Sequence, residues 1–159
     1  MFKTIKADCY FIIAASLIFF SAIFVTLWDF VKVQEMSYHF SIERIVGLIL
    51  FLVGIGIRRV AKKTLSRYYS FGLKTSQEHE LIKHGFFKLI RHPINLAMLI
   101  YSLAIPLIFS SLYGFLLMLG IIPCTLYRIR IEENMLMKRF GNEYLVYQKR
   151  TKKLLPFIY

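Results

Sequence analysis

Leu81-Ile-Lys-His-Gly-Phe-Phe-Lys-Leu-Ile-Arg-His-Pro-Ile-Asn95 runs directly into Leu96 to Tyr127, thirty-two residues without one charged side chain. A basic stretch that gives way to such a segment marks a boundary between water and lipid. Pro93 lacks an N–H and fixes its own φ, which suits the first turn of a helix. Arg91-His92-Pro93 therefore reads as the start of a membrane helix whose free N–H groups attract anions. The uncharged segment is longer than one span needs and just long enough for a tight hairpin of two, with Ser110-Ser111 as the turn and Pro106 weakening the helix beside it. The chain leaves this region through Arg128-Ile-Arg-Ile-Glu132-Glu133, so a basic approach and an acidic departure can face each other on one side of the membrane.

The remainder fits the same frame. A chain of 159 residues that is 57% hydrophobic, with mean hydropathy +0.57, is too apolar for an ordinary soluble fold. The expectation is one all-α domain over 1–159, a polytopic membrane helix bundle with about four spans at 7–28, 41–58, 93–109 and 112–130. The second span is short and relies on Arg58 and Arg59 snorkelling to the boundary. Gly54-Ile-Gly56 lacks the third glycine and the βαβ setting of a dinucleotide loop, so it reads as close helix packing. Thr75 or Ser76 can cap a short helix over 77–84 that Gly85 ends, and the last helix should continue past the membrane to Arg139 and stop near Gly141.

The formal charge is +12, and its distribution sets orientation. Residues 58–92 carry nine Lys or Arg against two Glu and the part from Arg128 onward eight against three, whereas residues 29–44 carry two against three acids. By the positive-inside tendency both termini and the 58–92 segment are cytoplasmic, and the basic residues meet the lipid bilayer rather than nucleic acid. The middles of the spans hold no Asp, Glu, Lys, Arg or His, which disfavours a transporter or channel. Cys9 and Cys124 lie in apolar runs without ligand-spaced neighbours, so neither a disulfide nor a metal site is expected. Polar groups gathered at one boundary suit an enzyme that joins a water-soluble cofactor to a lipid-dissolved substrate.

Leu81-Ile82-x-x-Gly85-x-Phe87-x-x-x-Arg91-His92-Pro93, a helical hairpin, Arg128-x-x-x-Glu132-Glu133, Leu136, Phe140-Gly141-x-x-Tyr144-x-x-Tyr147 and a final Leu155-Pro156 together resemble the isoprenylcysteine carboxyl methyltransferase family, which is related to the phospholipid methyltransferases. The resemblance covers about residues 77–157; the order and spacing of the pieces carry it. It implies an S-adenosylmethionine-dependent methyltransferase whose cytoplasmic cofactor pocket is formed by the 71–95 loop and the C-terminal helices. Carried over by position, His79, Glu80, Leu81, Ile82, Phe87, His92, Pro93, Ile94, Asn95 and Glu132 would bind cofactor. Arg128 would bind the substrate carboxylate, and Tyr144 and Tyr147 would brace the terminal helix. The acceptor implied is a lipophilic small molecule or prenylated chain. The family commonly has tyrosine where Phe87 and Asn95 stand, which leaves open a phospholipid amine acceptor or a non-catalytic protein that keeps the fold.

On spacing alone, plainer readings stand beside these. Arg128 and Glu132 are four residues apart and could form only an intrahelical pair. His92 before a proline could be a cap, and His79 and His84 could be solvated loop residues.

Overall fold

The computed structural model describes residues 2–33, 41–65 and 81–155, with 2–9 and 33 described as backbone alone. Among the described residues the fold is helical without a strand: α1 (Phe2–Val33), α2 (Ile42–Leu65), α3 (Pro93–Ile108), α4 (Leu112–Met118), α5 (Ile121–Phe140) and α6 (Asn142–Arg150), plus a 3₁₀ turn at Gly85–Lys88. Tyr10–Lys32 of α1 and the Leu112–Phe140 rod of α4 and α5 are long and apolar enough to cross a bilayer; Pro93–Ile108 is apolar but shorter. Large apolar side chains such as Leu17, Phe20, Phe24, Leu48 and Leu52 face outward along α1 and α2, the proportions of an integral membrane protein.

Small residues decide the packing. A Cβ on Gly47 would stand 2.7 Å from Ile108 N, and one on Gly54 would stand 3.0 Å from Tyr101 N, so α2 lies antiparallel against α3 with backbones nearly touching. Gly56 has open space around it and plays no part in that contact. Gly114 admits Thr26 in the same way and seats α1 on α4. Hydroxyls that enter apolar surroundings bond to their own helix: Thr26 Oγ1 donates to Ala22 O at 2.7 Å and Thr125 Oγ1 to Ile121 O at 2.8 Å.

Several boundaries differ from those read in the sequence. Helix α1 runs beyond 7–28 at both ends, and α2 continues past 58 to Leu65, because nothing in Arg58-Arg-Val-Ala-Lys-Lys opposes helix and its cations suit a helix C-terminus. Arg58 turns onto α3: its guanidinium donates to Tyr101 Oη and lies 5.5 Å from that ring's centre. The 112–130 stretch is interrupted at Leu119 and Gly120, where the ladder tightens to Gly120 N–Leu117 O and Ile122 N–Leu119 O. Pro123 is the cause, since its ring crowds the carbonyl four residues back, at Leu119, and supplies no N–H. Residues 81–84 are not helical; the ordered turn comes later and begins at Gly85, whose φ of +61° places it in the left-handed region. The rest of the expected 77–84 helix, with its candidate caps Thr75 and Ser76, lies outside the described residues.

The hairpin turn falls at Ser110, with φ +54°. Ser111 caps α4 by accepting from Gly114 N and donates its own proton to Asp29 Oδ2 at 2.5 Å. Arg44 Nε donates to Ser110 Oγ at 3.0 Å, and Ser41 Oγ lies 3.3 Å from the same hydroxyl. At the opposite end α5 stops at Phe140, because Gly141 takes φ +50°, and α6 folds back.

Candidate active site and family membership

His92 precedes Pro93, the first residue of α3, and its side chain makes no capping bond. Its carbonyl accepts from Leu96 N, so the N–H groups of Ile94 and Asn95 precede the first intrahelical bond. The imidazole is 3% exposed and points instead at α5, where Glu132 and Glu133 approach it from two sides. Adjacent helical residues diverge by about 100° around the axis, which lets one imidazole face both carboxylates. His92 Nδ1 is 3.4 Å from Glu132 Oε2, and Nε2 is 3.5 Å from Glu133 Oε1 without reaching hydrogen-bond geometry. Asn95 Nδ2 donates to Glu132 Oε2 at 3.4 Å.

Glu133 is the more enclosed acid, its side chain 12% exposed against 36% for Glu132. It accepts from Arg91 Nε at 2.8 Å and faces Lys153 Nζ at 3.3 Å. Arg91 Nη1 donates to both Gln148 O and Thr151 O, tying the approach to α3 to the end of α6. Residues 151–153 continue the tie: Lys152 N donates to Leu89 O, Arg91 N to Lys152 O, and His92 N to Lys153 O. Tyr147 Oη donates to Phe87 O at 2.7 Å.

These groups lie before and after the uncharged run from Leu96 to Tyr127, and their charges hold one another. Burial alone would lower the His92 pKa, but the Glu132 carboxylate, followed by Glu133, outweighs it and raises the value to about 9. Burial would raise Glu132, yet His92 first and then Arg128 and Asn95 bring it below the ordinary carboxylate range. Glu133 is opposed by burial too, and the nearby His92 imidazole and Arg91 guanidinium lower it to about 2. The site at neutral pH therefore contains two carboxylates among the cations His92, Arg91, Arg128 and Lys153.

Of the residues singled out in the sequence, His92, Asn95 and Glu132 meet directly, and Pro93 and Ile94 share their helical turn. Arg128 lies one turn before Glu132, with its guanidinium 5.2 Å from the Phe11 ring centre. Phe87 is buried, and its carbonyl is held by α6. Leu81 and Ile82 are half-buried on irregular backbone, with no bond to Glu132. His79 and Glu80 lie outside the described residues. Arg91, Glu133 and Lys153 were not singled out; the first two stand in the motif, whereas Lys153 carries no signal in sequence.

The sequence model of the phospholipid methyltransferase family matches residues 42–143, from the start of α2 through the Glu132-Glu133 pair to the beginning of α6. The chain belongs to the phospholipid methyltransferase family. Relatives in this phospholipid methyltransferase group include a probable protein-S-isoprenylcysteine O-methyltransferase of Oryza sativa subsp. indica, 33% identical over 118 residues that make up 71% of this chain and 61% of that protein. The protein-S-isoprenylcysteine O-methyltransferase of Saccharomyces cerevisiae is 26% identical over 135 residues, 83% of this chain and 56% of that protein. The chain thus spans 56 to 61% of the length of these two relatives. The fold is similar to that of a eukaryotic intramembrane Ras methyltransferase, isoprenylcysteine carboxyl methyltransferase, with a TM-score of 0.71 at 24% identity over 91% of this chain and 52% of the other.

Proposed function

We propose that the chain is a single-domain methyltransferase using S-adenosylmethionine at the cytoplasmic face of a membrane and methylating the carboxylate of a lipophilic, prenylcysteine-like acceptor. The observation that carries this reading is the position of Arg128 one helical turn before Glu132, which puts a fixed cation beside the His92–Glu132 pair. Such a site favours an anionic acceptor over an ammonium. The names of the rice and yeast relatives point the same way.

The residues present suit the cofactor. Glu132 is partly exposed and ionised, able to accept from ribose hydroxyls or an ammonium, while the N–H groups of Ile94 and Asn95 can meet a carboxylate. His92 and Pro93 would complete that wall, with Phe87, Leu81, Ile82, His79 and Glu80 as the remaining candidates. S-Adenosylmethionine supplies an electrophilic methyl group on its sulfonium. Arg128 would hold the acceptor carboxylate with its planar fork. That carboxylate is already ionised near neutral pH, so the protein needs to align and desolvate it but not deprotonate it. Four spans with both termini cytoplasmic would place the site at the inner boundary, where the acceptor enters sideways from lipid.

A phospholipid amine is the second reading, favoured by the description of the matching family. Full-length protein in nanodiscs, supplied with S-adenosylmethionine and either farnesylcysteine or phosphatidylethanolamine, decides between them by mass spectrometry. A farnesylcysteine methyl ester is the expected product; methylated phosphatidylethanolamine alone overturns the carboxylate reading.

A further inference from the structure

The short segment after α6 does more than close the site. Leu154 is buried in one apolar cluster with Leu99, Ile121 and Ile129, and Leu99 lies six residues into α3, about 9 Å below Pro93. The segment after α6 therefore dips alongside the start of the helical hairpin. Its next residue, Leu155, points the other way and is 45% exposed. Leu89 is bonded through its carbonyl to Lys152 N and is 53% exposed, although its neighbour Ile90 is buried. Lys88, which precedes Leu89 in the chain, and Lys152, whose N–H donates to the Leu89 carbonyl, are both exposed.

Two outward leucines flanked by lysines, at the level where an apolar helix begins, have the chemistry of an interfacial anchor: hydrocarbon for the acyl boundary and ammonium groups for headgroup phosphates. From this placement we infer that Lys88, Leu89, Lys152 and Leu155 form a docking edge seated on an anionic lipid leaflet. The charge of the whole chain, +12, favours that occupant over a basic protein surface. Because Lys152 is tied by backbone bonds to Leu89 and Arg91, and the next residue, Lys153, to His92, lipid contact here would fix the height of the site above the membrane.

The inference rests on the membrane-inserted reading, and its test keeps the two apart. Trp28 is the only tryptophan and is exposed on α1, so its quenching by lipids brominated on the acyl chain reports insertion of the unmodified chain. In a Trp28→Phe background, Leu89→Trp and, separately, Leu155→Trp are placed in nanodiscs of neutral phosphatidylcholine or of phosphatidylcholine with phosphatidylglycerol, each with shallow brominated lipid. The expected result is blue-shifted emission and about twofold or greater stronger quenching in the anionic discs, reduced by Lys88→Gln with Lys152→Gln and by high salt. Water-like emission in both discs, equal quenching in both, or burial that appears only when a prenylated peptide is added overturns the docking edge. Quenching of Trp28 alongside any of those outcomes leaves membrane insertion standing.

Discussion

His92 Nδ1 lies 3.4 Å from Glu132 Oε2, joining the first turn of α3 to α5 across the whole helical hairpin. Two consequences of that pairing can be measured separately, one in ligand affinity and one in pH dependence.

Glu132→Gln keeps the shape of the side chain and removes its charge from a partly exposed position. Cofactor affinity should fall by about 1.5 to 3 kcal/mol, the range for a hydrogen bond to a charged group, while the helical content of the protein stays unchanged. Calorimetry with S-adenosylmethionine checks this; wild-type affinity in the folded variant removes Glu132 from the cofactor site.

The folded-state pKa of His92, about 9, exceeds its ordinary value of 6.5. Its contribution to stability is therefore fully present below pH 6.5 and is lost as the pH rises through 9. Glu133 has the opposite sign: its contribution is present above 4.5 and is lost as the pH falls towards 2. Thermal unfolding in detergent should show a plateau between those limits with losses on both sides. His92→Gln should abolish the alkaline loss, on the order of 3 kcal/mol, and also weaken the acid limb, because His92 is one of the groups that lower Glu133. An unchanged alkaline limb in that variant would show that another group titrates there.

Gly54 and Gly56 provide an internal comparison on one helix. Gly54→Ala forces a Cβ to within 3.0 Å of Tyr101 N and should cost about 1 to 3 kcal/mol, whereas Gly56→Ala meets nothing within 4 Å and should be neutral or slightly stabilising. Melting temperatures of the two variants, measured in the same detergent, test the α2–α3 contact.

Orientation is open to chemical labelling. In a background with Cys9 and Cys124 replaced, Leu112→Cys at the hairpin turn should react with an impermeant thiol reagent on intact cells. Lys149→Cys, on α6, should react only after lysis. The reverse pattern would invert the topology and move the site to the other side of the membrane.

Arg128→Lys separates the two acceptor chemistries. A carboxylate held by a planar fork should be turned over poorly by the lysine variant while cofactor affinity stays near wild type. A lipid phosphate tolerates lysine better. Substantial activity with a methylated amine lipid as product would favour the phospholipid reading.

Much of the helical plan was legible in the chain because uncharged length and the placement of proline are local signals. Pro93 as a helix start, the turn at Ser110-Ser111 and the stop at Gly141 all follow from such signals. The interruption at Leu119-Gly120 was legible too, through Pro123, but its effect falls four residues upstream and is easily overlooked inside an apolar run. The chemistry was harder to read. Glu132, His92 and Asn95 came from a spaced motif, yet which of two adjacent glutamates is enclosed depends on how α5 is rotated against α3. Lys153 reaches Glu133 only because the segment after α6 returns to the start of α3, and no spacing in the sequence announces that return. Asn95, which departs from the family tyrosine, donates to Glu132, so the substitution leaves a polar partner at that position.

The turn at Ser110 has a mechanical meaning for the whole bundle. Asp29 from α1 and Arg44 from α2 both bond to the serines there, fastening three parts of the chain together at the end remote from Glu132. The helices are thus joined like the legs of a pair of tongs, riveted at one tip. A substitution at Ser110 would therefore loosen the α2 leg, and one at Ser111 the α1 leg.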